Sequence, residues 1–274
     1  MLVDCGLNLS APAFADRHAS VLDEAARQQV TRFVLIGTSE HSSQEALALA
    51  EHHPGCIATA GVHPHDAANV SPGYLDVLRT LAADPRVRAV GECGLDYNRN
   101  YSPPAIQRRV FTAQLALAAD LKLPVCLHER DALDDQLAIL DEFRRDIPAL
   151  FAHCFTGDRA ALEQYIERDC YIGVTGWVCD ERRGADLQAA IPAIPESRLL
   201  LETDAPYLLP RTIRPRPKSR TNLPSYLPYI VETVAQLRGT DAQALMHTTT
   251  ENAQRLFGEW SALSVGQDEE AAHE

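Results

Sequence analysis

Eight short apolar runs, of the kind that pack on both faces of a parallel sheet, alternate along this chain with segments of helical periodicity. The runs fall at 2–9, 33–37, 57–62, 87–91, 125–128, 150–153, 171–175 and 199–203. The intervening spacing predicts helices over 14–29, 42–53, 72–83, 103–121, 132–144, 159–168 and 184–190, with two more over 224–237 and 242–257. Pro54 and Gly55 stop the second helix, and Pro103 sits near the first turn of the fourth, where its missing N–H is harmless. Regular β–α alternation leaves two architectures, a closed barrel or an open doubly wound sheet. An open sheet gathers its functional groups around one switch point. Here polar, metal-competent residues follow the third, fourth, fifth, sixth and eighth runs, and so ring a mouth. The pattern predicts a single α/β domain, a (β/α)8 TIM-type barrel with its site at the C-terminal ends of the strands.

The length of 274 residues suits one such core, expected over 1–258. The tail over 259–274, rich in Ala and Glu and without an apolar pattern, is expected to be disordered. No apolar run approaches the roughly 20 residues of a membrane helix. The start, Met1-Leu2-Val3-Asp4, shows neither a basic region nor a cleavage pattern, so the expected location is the cytoplasm. Seven cysteines make an odd number with no zinc spacing, which predicts free thiols packed as small hydrophobes. A net charge of −13 argues against coating nucleic acid non-specifically. It is compatible with a local basic loop gripping a few phosphates.

Glu92 ends one run between Gly91 and Cys93-Gly94. His128 and His153 end the next two, and Glu202 and Asp204 follow the last. A lone histidine at a strand end is usually a hydrogen-bonded core residue. Two on consecutive strands beside a Glu form a set that is costly to bury without a cation, and they predict metal ligands at Glu92, His128, His153 and Asp204. Glu202 and Asp204, two apart, face the same side if the strand stays regular. Asp204 is placed to ligate and to take a proton from water; Glu202 does likewise or fixes a histidine tautomer from behind. His63 and His65 flank Pro64, which restricts where their rings point. They are candidates for metal binding, phosphate contact or leaving-group protonation, with loop stabilisation as the bland alternative.

Residues 211–220 hold five cations and no acid, out of character for so acidic a chain. Arg211, Arg214 and Arg216 there, with Arg99, are candidates to clamp substrate phosphates. Tyr97, Tyr101 and Trp177 are candidates to stack on bases, although packing under a loop explains them as well.

The strings Gly61-Val62-His63-Pro64-His65, Gly91-Glu92-Cys93-Gly94-Leu95-Asp96, His153-Cys154-Phe155-Thr156-Gly157, Gly173-Val174-Thr175-Gly176-Trp177 and Glu202-Thr203-Asp204-Ala205-Pro206-Tyr207-Leu208 closely resemble the TatD family of metal-dependent deoxyribonucleases. The resemblance covers 2–258 in order. It implies an amidohydrolase-like barrel that hydrolyses phosphodiester bonds, as a 3′→5′ exonuclease on single-stranded DNA, with RNA as a further candidate substrate and a role in DNA repair or degradation. It also implies Glu92, His128, His153 and Asp204 as ligands and His63 as a further active-site residue. One departure stands out. Many members begin Asp-x-His-x-His, whereas this chain reads Asp4-Cys5-Gly6-Leu7-Asn8. An oxygen-rich site relying on Asn8, Glu92, Asp204 and water would favour Mg²⁺ or Mn²⁺ over Zn²⁺.

The same site on other substrates would be an ester or amide hydrolase, such as a D-aminoacyl-tRNA deacylase. A barrel that had lost its chemistry would serve only to bind. No obligate protein partner and no membrane is implied, and a closed barrel is expected to stand as a monomer.

Overall fold

The structure is a computed structural model and describes residues 1–263. Its strands are β1 (Leu2–Leu7), β2 (Val30–Leu35), β3 (Cys56–Ala60), β4 (Val87–Asp96), β5 (Val125–Arg130), β6 (Leu150–Ala152), β7 (Tyr171–Val174) and β8 (Leu199–Leu201). They pair in parallel and in chain order, as a (β/α)8 barrel requires. The helices around them are α1 (His18–Arg27), α2 (Glu40–His52), α3 (Tyr74–Ala82), α4 (Pro104–Leu121), α5 (Leu133–Phe143), α6 (Arg159–Glu167), α7 (Ala185–Ala190), α8 (Leu227–Arg238) and α9 (Ala242–Phe257).

The strands are apolar because they are covered on both sides. Leu2, Leu7, Phe33, Leu35 and Val90 belong to the larger cluster shared with the helices. Val3, Cys5, Val34, Ile57, Ala89, Cys126, Phe151 and Leu200 form a second cluster with Leu256 and Phe257, so the end of α9 closes the bottom. All seven cysteines are free, and six are buried.

Several element boundaries differ from the sequence reading. Helix 14–29 begins only at His18, because a 3₁₀ turn at Pro12–Phe14 and a left-handed Asp16 (φ 58°) precede it. Strand β4 continues five residues beyond Gly91 and pairs with β5 as far as Asp96–Arg130. Gly94 permits this (φ 151°): a Cβ there would lie 1.9 Å from the carbonyl oxygen of His128. Strand β8 ends at Leu201, before Glu202. Residues 259–263, part of the expected disordered tail, are held against the barrel. Trp260 donates its indole N–H to Gly55 and accepts from Arg32, and Leu263 N–H bonds Thr31, so the chain is tied to β2 and its neighbouring loop there. The rest of that expectation, over 264–274, lies outside the described residues.

The barrel closes between β1 and β8 through one bridge, Leu7 to Ala205. Asp4 reinforces this seam. Its buried carboxylate accepts from Thr203 N–H at 2.8 Å, from the Thr203 hydroxyl at 2.5 Å and from Gly6 N–H at 3.3 Å. Asp4→Ala orphans these donors in a dry site and is expected to cost about 2–4 kcal/mol in urea denaturation. The same seam carries a pH signature. Burial outweighs the three donors and raises Asp4 from an ordinary 3.8 to about 7. Between those values the folded chain holds a proton the unfolded chain has lost, so Asp4's contribution falls as pH rises through that window. Asp4→Asn is expected to remove this slope; an unchanged pH profile would refute the assignment.

Candidate functional site

The C-terminal ends of the strands surround a cavity of about 680 Å³. His63, His65, Glu92, His128, His153 and Asp204 all line it, so the barrel brings together every histidine and acid named from the strand ends except Glu202. Period-two alternation explains the β4 and β5 contributions. Glu92 and Asp96 share one face of β4, and His128 and Arg130 share one face of β5.

His63, Glu92 and His128 present ligand atoms that all lie within 4.8 Å of one another. His128 Nδ1 is 2.9 Å from Glu92 Oε1, and His63 Nε2 is 3.7 Å from the same oxygen. His128 Nε2 lies 3.4 Å from Asp96 Oδ2 yet is not aligned for a hydrogen bond, which leaves a buried ring nitrogen without a partner. Two imidazoles, a carboxylate and an unsatisfied ring nitrogen fit a divalent cation.

His63 differs from His128 and His153, whose Nδ1 atoms face carboxylates. Its Nδ1 accepts the backbone N–H of His65 at 3.1 Å, so in the neutral ring the proton sits on Nε2. Burial, then the neighbouring His128, push His63 down to about 3, which keeps it neutral. His63 is therefore a fixed hydrogen-bond donor into the cavity more readily than a ligand.

His153 has the opposite arrangement. Its Nδ1 donates to the fully buried Glu202 carboxylate, which also accepts the Cys154 N–H. Its Nε2 faces Asp204 Oδ1 at 3.6 Å. With Nδ1 donating, Nε2 is the nitrogen available to an ion. Glu202 does not line the cavity. The strand does not stay regular after Leu201, and Asp204 takes a left-handed conformation (φ 54°) that turns its carboxylate into the mouth. Asn8 holds Asp204 Oδ1 through its side-chain amide at 2.8 Å.

Position 6 explains part of the divergent first strand. A Cβ on Gly6 would lie 2.5 Å from Glu202 Oε2 and 2.6 Å from His153 Cε1. The Glu202–His153 pair thus occupies the space that a side chain at position 6 would need.

The electrostatics are mutual. Burial alone would raise Glu92, but His153 and His128 outweigh it and hold the carboxyl well below the usual range. Burial would lower His128, but Asp96 and Glu92 push it up to about 9. His153 is likewise raised, because Glu202 and Glu92 overcome its burial. Without an ion, these acids hold protons on the imidazoles; an ion would take the protons' place.

The arginines fall into two groups. Arg99, Arg130 and Arg183 line the cavity; Arg130 is braced by Thr156 at 3.2 Å. Arg211, Arg214 and Arg216 are exposed and do not line it. Arg211 lies 3.5 Å from Asp180, and Arg214 donates to the carbonyls of Arg211 and Ile213. Among the aromatics, Trp177 lines the cavity, whereas Tyr97 is tied by its hydroxyl to Asp135. The sequence reading missed Asp96, Glu129, Arg130, Arg183 and Tyr207. For Arg130 the signal was present as the two-residue spacing from His128, and for Asp96 as the four-residue spacing from Glu92.

The TatD related DNase family matches residues 3–258. The 3′-5′ ssDNA/RNA exonuclease TatD of Klebsiella pneumoniae (strain 342) is 50% identical over 257 residues, covering 94% of this chain and 98% of that protein. The protein of the same name from Salmonella typhimurium is 48% identical over 256 residues, covering 93% and 98%. Among solved structures, YJJV, a TatD homolog from Escherichia coli, superposes with a TM-score of 0.86 at 26% identity, covering 94% of this chain and 98% of that one. The phosphotriesterase homology protein from Escherichia coli, with phosphate in its active site, shares the fold at a TM-score of 0.62 and 15% identity, covering 93% and 98%. With the family match spanning residues 3–258 and relatives about 50% identical over nearly the whole chain, this chain belongs to the TatD-related DNase family.

Proposed function

We propose that this enzyme removes nucleotides from the 3′ ends of single-stranded DNA and RNA by metal-dependent hydrolysis, releasing 5′-mononucleotides. The observation that carries the reading is the composition of the mouth. Clustered imidazoles and carboxylates lie within a cavity that Arg99, Arg130 and Arg183 also line, so an ion site and phosphate-binding cations converge on one space. The names of the relatives that match nearly the whole chain support the same substrates and polarity.

In this reading Glu92, His128, His153 and Asp204 hold a divalent ion. When bound, such an ion polarises a phosphoryl oxygen and lowers the pKa of a water. Asp204, with Oδ1 fixed by Asn8, receives the proton of the attacking water on Oδ2. His63 donates its Nε2 hydrogen to a phosphoryl oxygen or to the departing 3′-oxygen, and solvent completes that group's protonation. Glu202 keeps His153 oriented from behind. The cavity arginines hold the phosphate in line, Arg183 braced by Asp180 at 2.9 Å and Arg130 by Thr156 at 3.2 Å. Arg211, Arg214 and Arg216 are assigned no contact with the reacting phosphate.

The donor set also bears on the ion. An all-oxygen pocket would have favoured Mg²⁺ or Mn²⁺, but the proposed ligands are two imidazoles and two carboxylates, a mixed set that moves the preference toward Mn²⁺ and Zn²⁺. Oxygen donors at Asn8 and Asp204 keep Mg²⁺ within reach. The enzyme is proposed to act as a cytoplasmic monomer, the closed barrel offering no sheet edge for pairing.

Single-stranded oligonucleotides labelled at either end provide the test, incubated with EDTA, Mg²⁺, Mn²⁺ or Zn²⁺. Stepwise shortening from the 3′ end, abolished by EDTA, is expected. Intact oligonucleotides under every ion would overturn the reading and point to ester substrates such as aminoacyl-tRNA.

A further inference from the structure

The exposed large apolar side chains among the described residues are Met1, Tyr101 and Tyr207, with relative exposures of 65%, 66% and 58%. Met1 precedes β1 and lies at the bottom of the barrel. The two tyrosines lie at the top. Tyr101 is in the loop after β4, edge-on to His65 with ring centroids 4.8 Å apart. Tyr207 follows β8 and lines the cavity. In a closed barrel whose eight strands pair in order, β4 and β8 are four strands apart and stand on opposite rims. The mouth cluster lies between them.

Scattered exposed aromatics are ordinary on a protein surface. Here both tyrosines are on the one face that carries the chemistry, on either side of it. The other aromatics there are already engaged. The Trp177 ring carries the Arg183 guanidinium 4.5 Å from its centroid, and the Tyr97 hydroxyl is held by Asp135 at 2.6 Å and by Arg108 at 3.0 Å. Tyr101 meets His65 in an edge arrangement, not face to face, so a ring face stays open. Among the described residues, neither Tyr hydroxyl makes a hydrogen bond.

We propose that Tyr101 and Tyr207 are two base-stacking subsites flanking the reacting phosphate, each taking the face of one unpaired nucleobase. This rests on the nuclease reading of the same site and specifies how that site recognises its substrate. Stacking uses the π-face that every base possesses, so it is tolerant of sequence. It makes no contact with the 2′-position, so it does not separate ribose from deoxyribose. Bases in a duplex are already stacked and paired, and presenting two of them requires melting the end. The two tyrosines thus account at once for single-strand preference and for acceptance of both sugars.

Abasic substitution isolates the stacking. The substrates are single-stranded DNA oligonucleotides that are intact, abasic at the 3′-terminal nucleotide, or abasic at the penultimate one. In the wild type each abasic change is expected to lower kcat/KM about 5- to 100-fold. Tyr101→Leu and Tyr207→Leu should each lose the penalty at a different one of the two positions, while cleaving that abasic substrate at the wild-type rate. The corresponding Phe variants should restore the wild-type pattern. RNA versions should show equal penalties.

Activity on the abasic substrates separates loss of stacking from loss of folding. Leu variants that keep both wild-type penalties would overturn the stacking proposal and leave the nuclease standing. A wild type indifferent to abasic substitution would do the same. Failure of the wild type to shorten any oligonucleotide would overturn both.

Discussion

Glu92→Gln is expected to abolish hydrolysis, with a fall in kcat on the order of 10³-fold or more, and to weaken divalent-ion binding measured by titration calorimetry. The substitution keeps the volume and removes the charge. That charge is the hub of the cluster. Glu92 Oε1 faces His128 Nδ1 at 2.9 Å and His63 Nε2 at 3.7 Å, and His153 is its largest electrostatic partner. An amide can neither neutralise a dication nor balance three imidazoles. Circular dichroism should be unchanged, because Glu92 extends into the mouth from a strand whose own apolar residues, Val87, Ala89 and Val90, pack independently of it. Activity within tenfold of wild type would remove Glu92 from the centre of the account.

Glu202 has a different, two-part effect. Glu202→Gln should leave the fold intact and lower kcat/KM by about 10- to 100-fold, the usual cost of disturbing the residue that orients a ligand histidine. The amide can present N–H where His153 Nδ1 needs an acceptor, and so favours the wrong tautomer. Glu202→Ala should add a stability loss of about 3–5 kcal/mol, since His153 and Cys154 N–H lose their acceptor in a site with no exposure. Urea denaturation separates the two variants. Equal stability for both would mean that the buried pair does not contribute as its geometry indicates.

The barrel was legible because its signal is repeated eight times: an apolar run, a polar strand end and a helix. The four proposed ligands stood at those ends and were readable one at a time. What stayed hidden depended on local backbone departures. Gly94 allows β4 to run to Asp96, carrying Asp96 into the mouth, and the paired continuation of β5 brings Arg130 there. Asp204 leaves the extended line of Glu202 through a left-handed conformation that alternation cannot anticipate. The cations over 211–220 marked a real departure in composition. Net charge along a segment carries no information about direction, however, and Arg211, Arg214 and Arg216 lie outside the cavity while Arg183, from a less conspicuous segment, lines it. Gly6 shows the same limit. An absent side chain cannot reveal that Glu202 and His153 fill its space.

The central claim is that water attacks phosphorus at this mouth and releases a nucleotide from a 3′ end. Digestion of a single-stranded oligonucleotide in ¹⁸O-labelled water, with mass analysis of the products, tests it most directly. The account predicts EDTA-sensitive release of 5′-mononucleotides, the first turnover placing one ¹⁸O on phosphorus, with no release by Glu92→Gln. Nucleotides lacking the label on phosphorus, or released equally well in EDTA or by the variant, would contradict it.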